Sequence, residues 1–346
     1  VRCVAVVTAI VIVTACFWRP GLADADKDEA LTARDLAVVV NEADPLSIAI
    51  GDYYQHKRGV PEANIVRVRF EATRTTLSAE QFATLRADVG ARTPRNVQAY
   101  ALTWVRPYRV ECMSITTAFA TGFDPAYCSE GCTATRWSPY YNSNSSRPYD
   151  DLGLRPTMSI AALDLQRARE LIDRGLASDR STAQGTAYLV ATDDIKRNVR
   201  AAGYTDARVL AGGFPVEIVK VPALESKPDV MFYFIGIANV ADLATNRFLP
   251  GAVADHLTSA GGDLLGKGQM SSLRWLEAGA TGSYGAVTEP CNITGKFPSP
   301  GLMMKHYLAG ETLIEAYWKS VAMPGQGIFI GEPLARPFGR PKVASR

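Results

Sequence analysis

The feature that most constrains this chain is a rhythm of short apolar runs and helical stripes between residues 35 and 104. Asp35–Asn41 is a short apolar run rich in Val that ends in turn residues. It is apolar at consecutive positions, as a strand buried on both faces requires. From Pro45 to Arg58, apolar residues at 46, 49, 50, 53 and 54 recur at helical spacing and stop at Gly59. Residues 64–70 alternate like a strand, Ser78 caps a helix running to Val89, and Val97–Trp104 is another apolar strand. This β-α-β-α-β order predicts a parallel sheet covered by helices.

The rhythm resumes later. Asp164 is expected to cap a helix to Leu176, and Thr186–Thr192 to form a strand followed by a helix over 195–202. Residues 216–221 alternate, Val230–Gly236 is apolar throughout, and Gly251–Ser259 follows as a further strand. A short helix over 272–278 precedes a strand over 282–287. Thr312 and Glu315 make a capping box for a helix carrying Trp318, and Gly327–Gly331 is a last strand. About residues 117–156 read as one long irregular stretch, of the length that often carries function. No internal repeat is visible. The expected architecture is α/β: one domain over 35–335, a mostly parallel sheet with helices on both faces, and a long disulfide-bearing loop.

Composition narrows the function classes. The chain has 346 residues, 47% hydrophobic and 21% charged, with a net charge of +2. That is globular, and it supplies no field for nucleic acid. The first 25 residues differ: Arg2 precedes an apolar run from Cys3 to Trp18, and no acid appears before Asp24. They read as a signal peptide cleaved after Ala25. The alternative is a lipobox at Val13–Cys16, with Cys16 lipidated. The apolar run is shorter than the ~20 residues of a spanning helix. Residues 26–34 are expected to be a tether and 336–346 a loose basic tail. Export to the periplasm or outer cell surface is thus expected.

Export sets the reading of the cysteines. Without residues 1–25, Cys112, Cys128, Cys132 and Cys291 remain. An even count in an oxidising compartment predicts two disulfides. Cys128 and Cys132 lie close together in a Gly-containing loop, so the expected pairs are Cys128–Cys132 and Cys112–Cys291. A zinc site would normally show two closely spaced pairs, and Cys112 and Cys291 stand alone. No metal and no cofactor is expected.

Candidate chemistry is sparse. Gly261 to Gly268 nearly matches a phosphate-binding loop, with Lys267 in place, but Gly268 stands where a magnesium-binding hydroxyl belongs. No nucleotide is expected. Of three histidines, His56 has charged neighbours and His306 has no obvious partner. His256 lies in Asp255–Ser259, where a base, an acid and two hydroxyls fall within five residues. Strand alternation would place His256 and Thr258 on one face and Asp255 and Ser259 on the other. HExxH, GxSxG and SxxK signatures are absent. Glu289 and Cys291 follow a strand end, and a free Cys291 would be a nucleophile where a bridged one is silent. Candidate catalytic residues are therefore His256, Ser259, Asp255, Glu289 and Cys291. In the long stretch, Trp137, Tyr140 and Tyr141 stand beside Asn and Ser and are candidate ligand-binding residues for a peptide or sugar.

Two resemblances add context. Residues 36–42, 53–61, 112–119, 269–285, 311–320 and 331–333 resemble an uncharacterised family of exported bacterial proteins. That family occurs in organisms with PEP-CTERM/exosortase sorting systems, and the resemblance brings no established activity. The chain also resembles the gingipain and caspase-like cysteine peptidases. These carry Gly-His-Gly after a central strand, Cys after the next, then a Gly-Ala-rich strand and a late Gly-Asp-Pro. Here Ile237 stands where His is expected, Thr258-Ser259 occupies the cysteine position, and Ala278–Gly285 and Gly331-Glu332-Pro333 fit the later landmarks. The resemblance implies a caspase-like fold without its Cys/His dyad, since isoleucine cannot accept a proton. The expected function is a non-enzymatic envelope component binding an envelope protein, peptide or polysaccharide. The alternative is a hydrolase with a rearranged site at the strand C-terminal edge.

Overall fold

A computed structural model of the chain describes residues 30–129, 131–179, 181 and 184–339. The signal-peptide and lipidation expectations, including Cys16, and the tail beyond Gly339 fall outside the described residues.

The strands are β1 (Leu36–Asn41), β2 (Ile65–Val68), β3 (Thr76–Leu77), β4 (Ala99–Leu102), β5 (Arg109–Val110), β6 (Met113–Ser114), β7 (Thr157–Ser159), β8 (Thr186–Ala191), β9 (Val216–Lys220), β10 (Val230–Gly236), β11 (Phe248–Leu257), β12 (Gly282–Ala286) and β13 (Gly327–Gly331). The α-helices are α1 (Pro45–Arg58), α2 (Ala79–Arg92), α3 (Ile115–Thr121), α4 (Pro148–Leu152), α5 (Leu165–Ser178), α6 (Tyr204–Leu210), α7 (Leu273–Ala278), α8 (Pro300–Leu308) and α9 (Leu313–Ser320). β3, β5 and β6 form a small separate sheet.

The main sheet has ten strands in the order β2-β1-β4-β7-β13-β12-β11-β10-β8-β9. Every neighbouring pair is parallel except β12 and β13, which are antiparallel with Tyr284 opposite Phe329. The sheet is therefore two parallel halves of opposite direction, joined at that pair. Each half reverses its winding once. From β1 the chain steps outward to β2 and then inward to β4, and from β8 outward to β9 and inward to β10.

Local chemistry explains the element ends. Asp44 caps α1 by accepting from Leu46 N, Pro45 opens its first turn, and Gly59 closes it in the left-handed region at φ 65°. Capping boxes close the N-termini of α2 (Ser78 with Gln81) and α9 (Thr312 with Glu315). β1, β10 and β13 are buried along their whole length, which is why they read as unbroken apolar runs. Edge strand β9 is half-exposed and alternates.

The sheet is covered on both faces. Tyr233, Ile235 and Ala254 pack with Trp275 of α7. Phe232, Phe234 and Val253 face the larger core, with Tyr307 of α8 and Tyr317 of α9. A buried ion pair ties α1 to the end of β13. Arg58 of α1 pairs with Glu332, just after β13, and Tyr54 donates to the same carboxylate at 2.7 Å. Gly175 of α5 leaves room for it, since a Cβ there would lie 2.4 Å from Glu332 Oε2.

Several expectations change at this level. The stretch read as irregular over about 117–156 contains most of α3 and all of α4, and β7 begins just past its end. The helix expected over 195–202 is a 3-10 turn over Asn198–Gly203 that leads into α6. The described part of the expected tether is docked: Ala30 and Leu31 are buried, and Leu31 N donates to Glu315. Phe338, at the start of the expected tail, packs against Phe232 and Tyr307. Among the described residues, no helix is long and apolar enough to cross a membrane.

Candidate functional site

The four cysteines among the described residues form two disulfides, but not the expected ones. Cys112 joins Cys128, and Cys132 joins Cys291. The expectation paired cysteines near in sequence. The fold instead sets Cys112, just before β6, beside Cys128, and swings the following segment across to the loop after β12. Bridged thiols cannot ligate zinc, and among the described residues no group of three His, Cys, Asp or Glu is placed to hold a metal. Cys291 carries no free thiol. Its N–H donates to Glu289 Oε1 at 2.7 Å, so Glu289 serves that turn.

His256 and Asp255 sit on β11 with side chains on opposite faces, as the alternation requires. His256 is buried, and both ring nitrogens are engaged: Nδ1 accepts from Trp275 Nε1 at 2.9 Å, so Nε2 carries the proton and faces Met270 O at 3.0 Å. Burial lowers its pKa to about 4, against a lesser raising effect of the Met270 carbonyl. A neutral imidazole with both nitrogens occupied has no lone pair for Ser259. Asp255 turns into the core and meets Arg200 at 2.6 Å. Burial raises its pKa to about 6, opposed by Arg200. His256 and Asp255 are thus each engaged by other partners, and Glu289 and Cys291 meet only within their own turn.

The aromatic trio divides. Tyr140 is fully buried beneath Lys319, whose Nζ lies 5.1 Å from the ring centroid. This corrects its expected ligand-binding role: no ligand reaches a side chain with no exposed surface. Trp137 is 59% exposed and meets Tyr141 edge to face at 5.5 Å, so these two do form an accessible surface. His306 is also partnered, by Glu311 at 2.9 Å and by Asn142 at 3.1 Å, which pins this loop to α8.

In open α/β sheets, ligands bind outside the strand C-termini where the winding reverses. In the C-terminal half that edge is formed by the ends of β8, β10 and β11. Gly236 ends β10 where the backbone of Arg197 crosses it, and a Cβ there would lie 2.0 Å from Arg197 O, so only glycine fits. Thr192 Oγ1 donates to Gly236 O at 2.7 Å. Arg197, held by Asp194 at 2.9 Å, donates Nε to Thr258 Oγ1 at 3.0 Å. Thr258 passes its own proton to Gln269 Oε1 at 2.7 Å, and Ala260 N donates to the same oxygen. Ile237 follows Gly236 and packs on the core, contributing no polar atom. Gln269 also lines a groove of about 650 Å³ whose rim carries Asp242, Lys267, Arg274 and Glu277. Arg197 and Gln269 were not singled out in the sequence. Nothing in the sequence gives either one a role: Arg197 lies in the segment after β8, and Gln269, well beyond the end of β11, only opens the resembling stretch 269–285.

The glycine-rich loop is no phosphate cradle. The N–H groups of Gly262, Asp263 and Gly266 donate to Ala286, Ala260 and Asp263 carbonyls, and Tyr108 donates to the Asp263 carboxylate at 2.6 Å.

No family model matches the chain, and no curated protein is similar to it in sequence. Among solved structures, it is similar to the complex of Porphyromonas gingivalis RgpB pro- and mature domains. That match has 10% identity over 87% of this chain and 79% of the other, with a TM-score of 0.50. A protease structure matches at 11% identity over 89% and 79%, with a TM-score of 0.44. The first likeness shows the fold: a mixed α/β architecture with a large, mostly parallel sheet, of gingipain/caspase-like type.

Proposed function

We propose that this protein is an exported, non-enzymatic binding component of the cell envelope, which holds an extended polar segment of another envelope protein at the C-terminal edge of β10 and β11. One observation carries the reading. In a peptidase of this fold, a base and a thiol stand after these two strands. Here the first position is Ile237 and the second is a threonine hydroxyl already donating to Gln269. The groove beside it carries an amide and charges of both signs, which suits a peptide better than an apolar molecule. The Trp137–Tyr141 pair is a second contact surface assigned to the partner. Two disulfides fit an oxidising compartment. The resemblance to proteins accompanying PEP-CTERM/exosortase sorting suggests a sorted or surface-assembled partner.

The hydrolase alternative requires a base within reach of Ser259, and His256 is engaged elsewhere. Both readings are tested by titrating fluorescent peptides that tile envelope proteins and analysing the products by mass spectrometry. The expected result is saturable binding without new peptide termini, weakened by Lys267→Glu, Arg274→Glu and Trp137→Ala. No binding to any peptide defeats the proposal. New termini that disappear in Ser259→Ala replace it with the hydrolase.

A further inference from the structure

Lys296 ends a 3-10 turn, Thr294–Lys296, in the segment after β12, and it is 1% exposed. A lysine buried this deeply ordinarily has a carboxylate beside it. Here Nζ donates to Ser129 Oγ at 2.8 Å, and among the described residues no carboxylate forms an ion pair with it. Burial lowers the Lys296 pKa, opposed by the charge of Glu289. Desolvation thus favours the neutral amine, which can accept a proton.

The fold brings these two side chains together from both directions. Ser129 lies between Cys128 and Cys132. The first is bridged to Cys112, and the second to Cys291 on the same segment as Lys296. Gly325 gives the backbone of Tyr127 room to pass, since a Cβ there would overlap Tyr127 O. Gln326 orients the hydroxyl. Its Nε2 donates to Thr288 Oγ1 at 3.0 Å and to Glu289 O at 2.7 Å, which turns Oε1 toward Ser129 Oγ at 3.1 Å. Tyr284 donates to Lys296 O at 2.6 Å and fixes the turn. Thr288 and Glu289 follow β12, which runs parallel to β11. The pair therefore stands at the C-terminal edge of this half, where open α/β sheets place ligands. Ser129 keeps part of its surface exposed.

We infer that Ser129 is a site of covalent acylation, with Lys296 as its base. A hydroxyl is a weak nucleophile until a neighbouring base takes its proton, and serine with lysine is one such pairing. The substrate class is an ester. As Ser129 Oγ bonds the carbonyl carbon, Lys296 Nζ takes the hydroxyl proton. The bond from that carbon to the ester oxygen then breaks, and the leaving alkoxide takes the proton from Lys296. The chain keeps an acyl-serine and a neutral amine. One acyl group per chain is a modification of a binding protein, and it does not rest on the peptide-holding edge after β10 and β11.

The test is incubation of the intact, oxidised chain with p-nitrophenyl acetate between about pH 6 and 10, with the acetylated peptide located by mass spectrometry. The expected result is one acetyl group on Ser129, removed by hydroxylamine as an ester is. Its rate of formation should rise with pH and level off below the ordinary lysine value of about 10.4. Ser129→Ala should lose the label. Lys296→Gln should slow labelling on the order of a hundredfold, with acetylation of surface lysines unchanged. An acetyl group on Lys296 instead, none on Ser129, or undiminished labelling in Lys296→Gln would each overturn the inference. If Lys296→Gln folds poorly, the pH profile of the parent chain decides, and a rate that climbs without levelling overturns it equally. Failure here leaves the peptide titration unaffected, because Ser129 and Lys296 are not among the residues assigned to it.

Discussion

The two halves of the sheet reverse their winding in the same way, yet they finish their C-terminal edges differently. In the N-terminal half the crevice between β1 and β4 is sealed. Ser47 Oγ lies 2.6 Å from Thr103 Oγ1, Thr103 reaches Val39 O, Asn41 N donates to Ser47, and all three side chains are buried. In the C-terminal half the equivalent crevice is bridged by Arg197 and Asp194, whose side chains keep 26% and 24% exposure, and it opens beside a groove. A topological switch point offers a place for a ligand without guaranteeing one. Short hydroxyl side chains that satisfy one another close it, whereas long charged ones at a rim leave it accessible.

The comparison can be broken at several points, and the largest effect is expected at the disulfides. Cys132–Cys291 spans 159 residues and fastens the long loop to the C-terminal half, whereas Cys112–Cys128 spans 16 and is local. Chain entropy assigns ~5 kcal/mol to the first and ~3 kcal/mol to the second. Cys132→Ser with Cys291→Ser should therefore lower the urea midpoint more than Cys112→Ser with Cys128→Ser. The reverse order would show that the local bridge, not the long one, contributes more to stability.

A smaller effect comes from acid. The folded-state pKa of His256 lies at about 4, below the ordinary 6.5. Between these values the unfolded chain takes up a proton that the folded chain refuses. Stability is thus lost as pH falls through that window, by up to ~3 kcal/mol. Asp255 acts oppositely. Raised from 3.8 to about 6, its contribution is complete below 3.8 and is lost as pH rises through 6. Denaturant midpoints of His256→Gln measured from pH 4 to 7 should lose the acid-side decline and retain the opposite slope of Asp255. A pH profile unchanged from the parent protein would refute the assignment.

The smallest effect sharpens the comparison most. Thr103→Val leaves buried Ser47 short of a partner and should cost ~1–3 kcal/mol without altering peptide binding. Thr258→Val should cost less, because its partners Arg197 and Gln269 can reach water, yet it should change peptide affinity. Paired melting and titration curves for the two variants check this, and equal effects on binding would remove the distinction between the crevices.

Much of the fold was legible where burial leaves a periodic trace. β10 was bounded residue for residue, and the caps at Ser78, Asp164 and Thr312 lie where the sequence placed them. Strand direction was not legible. β12 and β13 are antiparallel neighbours separated by two helices, so no hairpin turn announces their pairing. The site was legible as a position and not as a set of residues. The alternation placed Asp255 and His256 on opposite faces, and Ile237 at the vacant base position was visible in the sequence. The partners that neutralise His256, Trp275 and Met270, come from another element and leave no local signal. The disulfide pairing escaped for the same reason, since spacing says nothing of how a loop crosses the molecule.

The place of β13 has a consequence for how the chain acquires its structure. It is the last described strand in sequence, yet it lies in the middle of the sheet, between β7 and β12. Until Gly327–Gly331 docks, both neighbours present open hydrogen-bonding edges, and two half-built sheets coexist on one chain. Assembly therefore waits on a long-range insertion, the kind of step that is slow and leaves sticky intermediates exposed. A chain stalled before residue 327 would display those edges to whatever surrounds it.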